Sequence, residues 1–313
     1  MSFGKVCLVN ELVAIDPDTL NIRNPLELKR DLYQINREFG FEHGRFLANY
    51  PDSYDTYCKR SMEALQSMSD GFSKQEIKKR FEQFLTNLLP VEASYNREFS
   101  WIENVRSQYK DVFDLVVTNS SEEGFYTFDA LVSGDISQLA QSGRESKVVA
   151  TAKNYSEVIT PLLCSSTELF IADRYFPFIG SNSKDSEIEQ GLDLLCRLIK
   201  IAERNKRCKW IVFISDFATQ IELSNHDKEL KIKKTLAEIR KRTGKKMFCK
   251  LGWELVKGKE LKEIHERYVF SMKGCVSFDK GLICDGKSRK VCYETRPSLE
   301  ITLNKLRKYM RRR

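Results

Sequence analysis

A histidine and an arginine two positions apart are the residues of this sequence best suited to phosphate chemistry. They are His265 and Arg267, at the start of a segment that alternates in polarity, turns at Lys273-Gly274 and alternates again over Cys275–Phe278. This pattern predicts two strands joined by a tight turn. Side chains at positions i and i+2 of a strand share a face, so we expect the imidazole and the guanidinium to project together. An imidazole can act as a nucleophile or carry a proton, and a guanidinium binds phosphate oxygens bidentately. The polar outer face of an ordinary strand is the alternative interpretation.

Other polar residues follow segments that we predict to be buried strands. Glu168–Tyr175 is an apolar run that ends in polar residues and is predicted to be a buried strand. Trp210–Ser215 is a nearly continuous apolar run, which is typical of a strand covered on both faces. Asp173 lies near the end of the first run, and Asp216 follows the second. Ligand and catalytic residues collect at strand ends in open α/β sheets, so Asp173 is a candidate site residue. Capping of the following turn is its alternative role.

Strand-like and helix-like segments alternate through the second half of the chain. A helix is predicted at Ser186–Arg204, and a basic helix at about Asp227–Arg242 is closed by Gly244. The next predicted strand is Met247–Leu255. Such alternation predicts an α/β domain with a mostly parallel sheet flanked by helices.

The first 92 residues are predicted to form a separate α+β unit, and residues 93–313 an α/β domain with its core at about 145–310. A strand or a pair of strands is expected at Lys5–Ile15. Asn24 and Pro25 are typical of the start of a helix. Ser73 and Glu76 have the spacing of a capping box at the start of a second helix.

Positive charge is concentrated in two stretches of a chain whose formal net charge is +8. Residues 228–250 carry ten Lys or Arg against two Glu, and residues 303–313 carry six Lys or Arg and no acid. Clusters of this kind are typical of proteins that contact a polyanion, most simply nucleic acid, DNA or RNA. A solvated helix face and a charged tail are the alternative. The predicted nucleic-acid-binding residues are Lys231, Lys233, Lys234, Arg240, Lys241, Arg242, Lys245, Lys246, Arg311, Arg312 and Arg313.

Nine cysteines are present without a CxxC pair, and most lie inside apolar segments. This distribution predicts reduced, buried thiols in a reducing compartment. Cys275, Cys284 and Cys292 follow His265 in sequence, but the eight and seven residues between them resemble no compact zinc ligand set. We therefore predict no metal and no cofactor.

No apolar run approaches the ~18 residues that a membrane-spanning helix needs. The N-terminal apolar segment is interrupted by Asn10 and Glu11 and lacks the small-residue cleavage site of a signal peptide. The sequence therefore predicts a cytoplasmic protein with no membrane span.

The segments Glu168–Phe176 and Ile264–Leu282 resemble the phospholipase D-like superfamily. More closely, they resemble its prokaryotic, MIT-C-type branch, in which a strand ending Asp-x-Tyr precedes a His-x-Arg-Tyr strand, a glycine turn and a Gly-Leu segment. The resemblance covers about residues 145–310 and implies a phospholipase D-like fold. The family's catalytic motif is HxKxxxxD followed by a glycine, and two copies meet across a symmetric cleft. Because this chain carries one copy, a complete site implies a homodimer.

The resemblance implies a role for each matching residue. His265 matches the nucleophilic histidine, and Arg267 stands where the family has lysine. Arginine keeps the phosphate-binding charge but does not exchange protons, because its pKa exceeds ~12. Gly281 lies near the family's later glycine, but Leu282-Ile283-Cys284 replaces the serine and asparagine of active members.

The aspartate of the motif is missing, since Met272 stands in its place. Its loss removes the group that would orient the histidine. Asp279 or Glu294 is a candidate to replace it, provided that the fold brings either close to His265. These departures predict a catalytically degenerate protein.

Three functions follow as hypotheses. The first is a phospholipase D-like protein that binds nucleic acid in a bacterial defence or mobile-element system, because residues 99–133 are similar to the segment that precedes this domain in bacterial proteins of such loci. It would act as a homodimer or as a subunit of a defence complex. The second is a metal-independent nuclease or phosphodiesterase that uses His265 in a homodimer. The third is a protein- or membrane-interaction module that uses the basic face.

Overall fold

A computed structural model describes most of the chain and divides it into two compact units, with the boundary between residues 143 and 144. The described residues are 11–16, 25–41, 43–50, 59, 63, 65–66, 68, 71–89, 91, 93–109, 111–118, 125–127, 129–130, 145–173, 176–181, 183–215, 224–244, 248–255 and 267–294.

The first unit alternates strands and helices around a four-stranded sheet. Its elements are β1 (Glu11–Ile15), α1 (Pro25–Glu38), β2 (Arg45–Ala48), α2 (Phe72–Leu85), β3 (Leu88–Leu89), α3 (Trp101–Arg106) and β4 (Leu115–Val117). The strand order is β3-β2-β1-β4, and every pairing is parallel. The described strands therefore form a parallel α/β sheet rather than the predicted α+β arrangement. A helix lies between each pair of successive strands, and such a connection allows both strands to run in the same direction.

Apolar residues cover both faces of this sheet. On one face, the stripe Leu28, Leu32 and Ile35 of α1 packs with side chains of α2 and with alternate residues of the strands. On the other face, Val105 of α3 packs against Ala14 and neighbouring side chains. Each of these helices has one apolar face, so burial of that face against the sheet stabilises both layers.

The start of α2 differs from the prediction. Gly71 is the N-cap residue, and no side chain caps the helix, so the capping box at Ser73 and Glu76 is wrong. Glu76 instead forms ion pairs with Lys29 of α1 at 2.5 Å and with Arg80 at 2.7 Å. The helix begins at Phe72, so Ser73 lies inside its first turn and is not the N-cap residue. Lys29 and Arg80 lower the pKa of Glu76.

A buried ion pair lies at the start of β1 and β2. Glu11 and Arg45 are register partners that are 7% and 5% exposed, and the Arg45 Nε donates to the Glu11 carboxylate. The Arg45 guanidinium also lies over the Phe39 ring, 5.7 Å from its centroid. Burial raises the pKa of Glu11, while Arg45 acts in the opposite direction.

The boundary at residues 143 and 144 differs from the predicted boundary at 92 and 93. Leu115–Val117 pairs with β1 in parallel, with Val13 opposite Leu115, so this strand belongs to the first unit. The pairing partner of a strand is a non-local property that its own sequence does not specify, which explains the difference.

The second unit contains a seven-stranded sheet with helices between its first four strands. Its elements are β5 (Glu145–Val149), α4 (Ala152–Ser165), β6 (Glu168–Ala172), α5 (Asp185–Asn205), β7 (Trp210–Ser215), α6 (Asn225–Thr243), β8 (Lys250–Leu255), β9 (Arg267–Ser271), β10 (Gly274–Phe278) and β11 (Ser288–Glu294). The order is β5-β11-β10-β9-β6-β7-β8.

The predicted α/β class is confirmed, and the sheet is mixed rather than mostly parallel. β6, β7 and β8 are parallel neighbours, whereas β9, β10, β11 and β5 form antiparallel pairs. β9 and β10 form the hairpin that the Lys273-Gly274 turn predicted. Within the described residues, no helix combines the length and the apolar composition needed to cross a membrane.

Candidate functional site

The first candidate site lies where the end of β6 meets the turn after β10. Asp173 directly follows β6 and is 2% exposed. Its carboxylate Oδ2 accepts a hydrogen bond from the Leu282 backbone N–H at 2.8 Å. A carboxylate this deeply buried is stable only when its oxygens have partners, so the contact fixes the turn against the strand end.

Gly281 makes this contact possible. Its φ is +75°, and a Cβ at this position would lie 2.6 Å from the Asp173 Oδ2. A real Cβ does not approach an oxygen so closely, and a non-glycine residue at this φ is also strained. Both the positive φ of the turn and the close approach of the Asp173 carboxylate therefore require glycine at this position.

Arg267 brings a positive charge to the same edge of the sheet. It is the first residue of β9, whose next residue, Tyr268, is the register partner of Ala172 at the end of β6. The Arg267 Nη1 donates to the carbonyl oxygen of Asp279 at 3.2 Å. β6 and β9 are thus neighbouring antiparallel strands, and Asp173, Arg267 and Gly281 lie at the same end of this part of the sheet.

The two candidates for the missing carboxylate differ in position. Asp279 contacts Arg267 through its backbone carbonyl, and the residue is exposed. Glu294 is the register partner of Cys275, whereas Arg267 is the partner of Phe278. Cys275 and Phe278 are three residues apart on β10, which corresponds to about 10 Å along the strand. The Glu294 backbone, opposite Cys275, is therefore far from Arg267, opposite Phe278.

Other predicted site residues lie outside the described part of the chain. They include His265, so its position relative to Arg267 stays a prediction. Met272 is described; it lies at the β9–β10 turn, at the opposite end of β9 from Arg267, and is 56% exposed.

Buried hydroxyl and thiol groups lie near this site. Tyr155 of α4 is fully buried, its ring contacts the Phe278 ring edge-on at 5.1 Å, and its hydroxyl has no hydrogen-bond partner in the described part of the chain. Burial raises the pKa of Tyr155 and raises that of Cys284 to about 12. Both groups therefore stay protonated near neutral pH and are poor nucleophiles.

The second candidate site is the basic helix α6. The predicted helix is confirmed: Ser224 caps it by accepting from the Asp227 N–H at 3.2 Å, and it ends at Gly244, whose φ is +103°. Its inner face is buried through Ile232, Thr235, Leu236 and Ile239. Their spacing of three and four residues places the charged residues on the other sides of the helix.

Two of the predicted nucleic-acid-binding residues, Lys231 and Arg242, make intramolecular contacts. The Lys231 Nζ donates to the Gly180 carbonyl at 2.7 Å. Arg242 donates to both carboxylate oxygens of Glu189 on α5, at 2.9 and 3.0 Å, and to Glu238 at 2.9 Å. The two carboxylates raise the pKa of Arg242, and the guanidinium lowers that of Glu189. These two side chains attach α6 to its surroundings.

Four other basic residues of α6 are exposed, namely Lys233, Lys234, Arg240 and Lys241. Lys233 and Lys241 lie 3.9 and 4.0 Å from Glu229 and Glu238, at the outer limit of an ion pair. Residues seven apart are two helical turns apart, so 233 aligns with 240 and 234 with 241, each pair separated by about 10 Å. We call these four side chains the basic face.

The other predicted nucleic-acid-binding residues lie outside the described part of the chain, namely Lys245, Lys246, Arg311, Arg312 and Arg313.

No group of three or more His, Cys, Asp or Glu that could hold a metal ion occurs in the described part of the chain. The seven described cysteines are free thiols, and six of them are buried.

Comparison with known proteins identifies no family. No protein-family model matches the sequence, and no curated protein matches it. Among solved structures, the chain matches TrmBL2, an archaeal chromatin protein whose structure shows a novel mode of DNA binding, with 15% identity and a TM-score of 0.26. The match covers 58% of this chain and 57% of that one. Such a TM-score does not establish a shared fold.

Sequence reasoning missed the intramolecular roles of Lys231 and Arg242 and the contact between Asp173 and the 281–282 turn. The signal for Arg242 was weak but present, because Glu238 lies four residues before it on the same helix face. The contact of Asp173 joins residues 109 positions apart, and nothing in either segment indicates it.

Proposed function

We propose that this protein binds nucleic acid by contacting phosphate groups with the basic face of α6. The observation that carries the proposal is the division of the six predicted nucleic-acid-binding residues of α6 into two sets. Lys231 and Arg242 are held by protein groups, whereas Lys233, Lys234, Arg240 and Lys241 project to solvent. Exposed Lys and Arg that neutralise phosphates release counterions, which is the main source of sequence-independent affinity for nucleic acid.

Replacement of Lys234 and Lys241 by glutamine tests this proposal. We expect the double variant to bind a short DNA duplex about tenfold more weakly than the wild type at low salt, since two phosphate contacts are lost. The slope of log Kobs against log salt concentration should also fall by about 2. Fluorescence anisotropy over a salt series, with single-stranded RNA of equal length in parallel, measures both quantities.

The matched control is Lys78→Gln with Lys79→Gln on α2, where both lysines are exposed. It removes the same charge from another surface and should leave affinity and salt slope unchanged. An equal loss in the control, or wild-type binding that is insensitive to salt, contradicts the proposal. Binding to anionic vesicles without binding to DNA or RNA assigns the basic face to a membrane surface and overturns it.

We also propose that the second unit is a catalytically degenerate phospholipase D-like domain that binds a phosphodiester without cleaving it. The position of Asp173, Arg267 and Gly281 at one end of neighbouring strands supports the likeness. Two observations support the loss of activity. The strand register places the Glu294 backbone far from Arg267, and Met272, which replaces the motif aspartate, has no carboxylate. Membership of a bacterial defence or mobile-element system, as a homodimer or a subunit of a complex, rests on sequence resemblance alone.

A cleavage assay in EDTA distinguishes the degenerate protein from an active nuclease. Because Met272 stands in place of the motif aspartate that would orient the histidine, we expect the wild type and His265→Ala to show equal, background cleavage of DNA, RNA and a chromogenic phosphodiester. EDTA-resistant cleavage that His265→Ala abolishes would establish the alternative, a metal-independent nuclease acting through His265 in a homodimer. Such activity refutes the degenerate assignment and leaves the proposal for the basic face in place.

A further inference from the structure

The helix α6 lies at the end of a layer of helices on one face of the second unit's sheet. β6, β7 and β8 are parallel neighbours in chain order, and right-handed crossovers place the helices of both connections, α5 and α6, on the same face. α5 packs against both α4 and α6. α6 precedes β8, the strand at the edge of the sheet. Of the described helices in this layer, α6 is therefore the one nearest that edge.

Two uncharged residues form a line along the exposed side of α6. Successive residues of an α-helix are about 100° apart, so Leu230 and Ala237, which are seven residues apart, lie within about 20° of each other around the axis. Both are exposed, Leu230 by 43%. The line points away from the buried residues of the helix, such as Thr235 and Ile239.

Two rows of cations flank this line. Lys233 and Arg240 form one row, about 40–60° to one side of Ala237 around the axis. Lys234 and Lys241 form the second row, at about the same angle on the other side. All four side chains are exposed. The acidic residues of the helix lie farther from the line, at about 80–100° from Ala237, and they are Asp227, Glu229 and Glu238.

This arrangement matches the major groove of B-form DNA. An α-helix with its side chains is about 10–12 Å across, and the groove is about 12 Å wide with phosphates along both edges. A helix that lies in the groove with its uncharged line toward the bases brings one row of cations to each strand. The small Ala237 permits a close approach, and Leu230 can contact the methyl group of thymine. The major groove of duplex RNA is narrow and deep and does not admit such a helix.

We propose that α6 binds duplex DNA by lying in its major groove, with one row of cations on the phosphates of each strand. Leu230 and Ala237 face the base edges. The inference rests on the proposed binding of nucleic acid by the basic face. It adds the substrate class, B-form duplex DNA, and the position of the helix on it.

Modification of one groove at a time tests this position with the wild-type protein. Anisotropy titrations compare an unmodified duplex with one in which every cytosine carries a glucosylated 5-hydroxymethyl group, which fills the major groove and leaves the phosphates unchanged. We expect the glucosylated duplex, and duplex RNA of the same sequence, to bind at least about tenfold more weakly. A duplex with 2-aminoadenine in place of adenine is the matched control, because its added amino group lies in the minor groove, and its affinity should stay within about twofold of that of the unmodified duplex.

A second pair of substitutions tests the two-sided contact. Lys233→Gln with Arg240→Gln removes one row, as Lys234→Gln with Lys241→Gln removes the other. We expect each double variant to bind the unmodified duplex about tenfold more weakly and to lower the salt slope by about 2, since each row contacts one strand.

The outcomes separate this inference from the proposal on which it rests. Equal affinity for the glucosylated and unmodified duplexes, or for duplex RNA, overturns the placement in the major groove, and so does a loss confined to one of the two rows. In these cases the salt-dependent binding by the basic face still stands. If neither double variant weakens binding, the proposed function fails and the inference fails with it.

Discussion

Replacing Gly281 with alanine is expected to lower the free energy of unfolding by about 3 kcal/mol. About 1 kcal/mol comes from placing a Cβ at a φ of +75°. The rest comes from the Asp173 carboxylate, which must move away from a Cβ 2.6 Å from its Oδ2 and thereby weaken its bond with the Leu282 N–H. Urea unfolding followed by circular dichroism measures this loss.

Gly286 provides the matched control for this prediction. Its φ is +73°, and in the described part of the chain no atom beyond those of Gly286 and its two neighbours lies within 4 Å of the position that a Cβ would occupy. Gly286→Ala should therefore cost only the backbone contribution of about 1 kcal/mol. The contribution of the clash is measured by introducing Gly281→Ala into the Asp173→Ala variant. In that background, Gly281→Ala should lower the free energy of unfolding by no more than Gly286→Ala does in the wild type. Equal losses in the two single glycine variants would show that Asp173 is not involved.

Replacing Arg45 with methionine is expected to lower the free energy of unfolding by about 3–5 kcal/mol. The substitution leaves the Glu11 carboxylate buried between β1 and β2 without the guanidinium that balances its charge. A buried charge without its partner is more costly than a lost surface ion pair by several-fold. The measurement is the urea midpoint at pH 7, with the slope of the transition checked for constancy.

Two comparisons make the Arg45 experiment specific. The double variant Glu11→Met with Arg45→Met should recover most of the lost stability, because it replaces the buried pair with apolar groups. Lys153→Met removes one partner of the exposed Lys153–Glu157 pair, whose atoms are 3.9 Å apart, and should cost under about 0.5 kcal/mol. A double variant as unstable as Arg45→Met alone would mean that packing, and not the unpaired carboxylate, causes the loss.

Much of the fold follows from local sequence patterns. The stripe Leu28, Leu32 and Ile35 predicts a helix that is buried on one side, and the structure buries all three residues. The hairpin at Lys273-Gly274 and the basic helix ending at Gly244 are also local features. In each case, the residues that determine the element lie within the element itself or directly beside it.

The remaining features depend on which segments meet. The pairing of β4 with β1 and the contact of Asp173 with the 281–282 turn join residues about a hundred positions apart. Likewise, the charge of Arg242 is visible in the sequence, but its ion pair with Glu189 depends on the packing of α5 against α6. The sequence could thus indicate a basic helix but not which of its cations are available to a ligand.

The pairing of β5 with β11 affects the order in which the second unit folds. Val149 is opposite Ser288, so the first strand of this unit pairs with its last described strand. During synthesis on the ribosome, β5 emerges well before its partner and stays unpaired on that side until about residue 294 has left the exit tunnel. Pairings of such high contact order form slowly, so we expect the last strand to complete the sheet only late in folding.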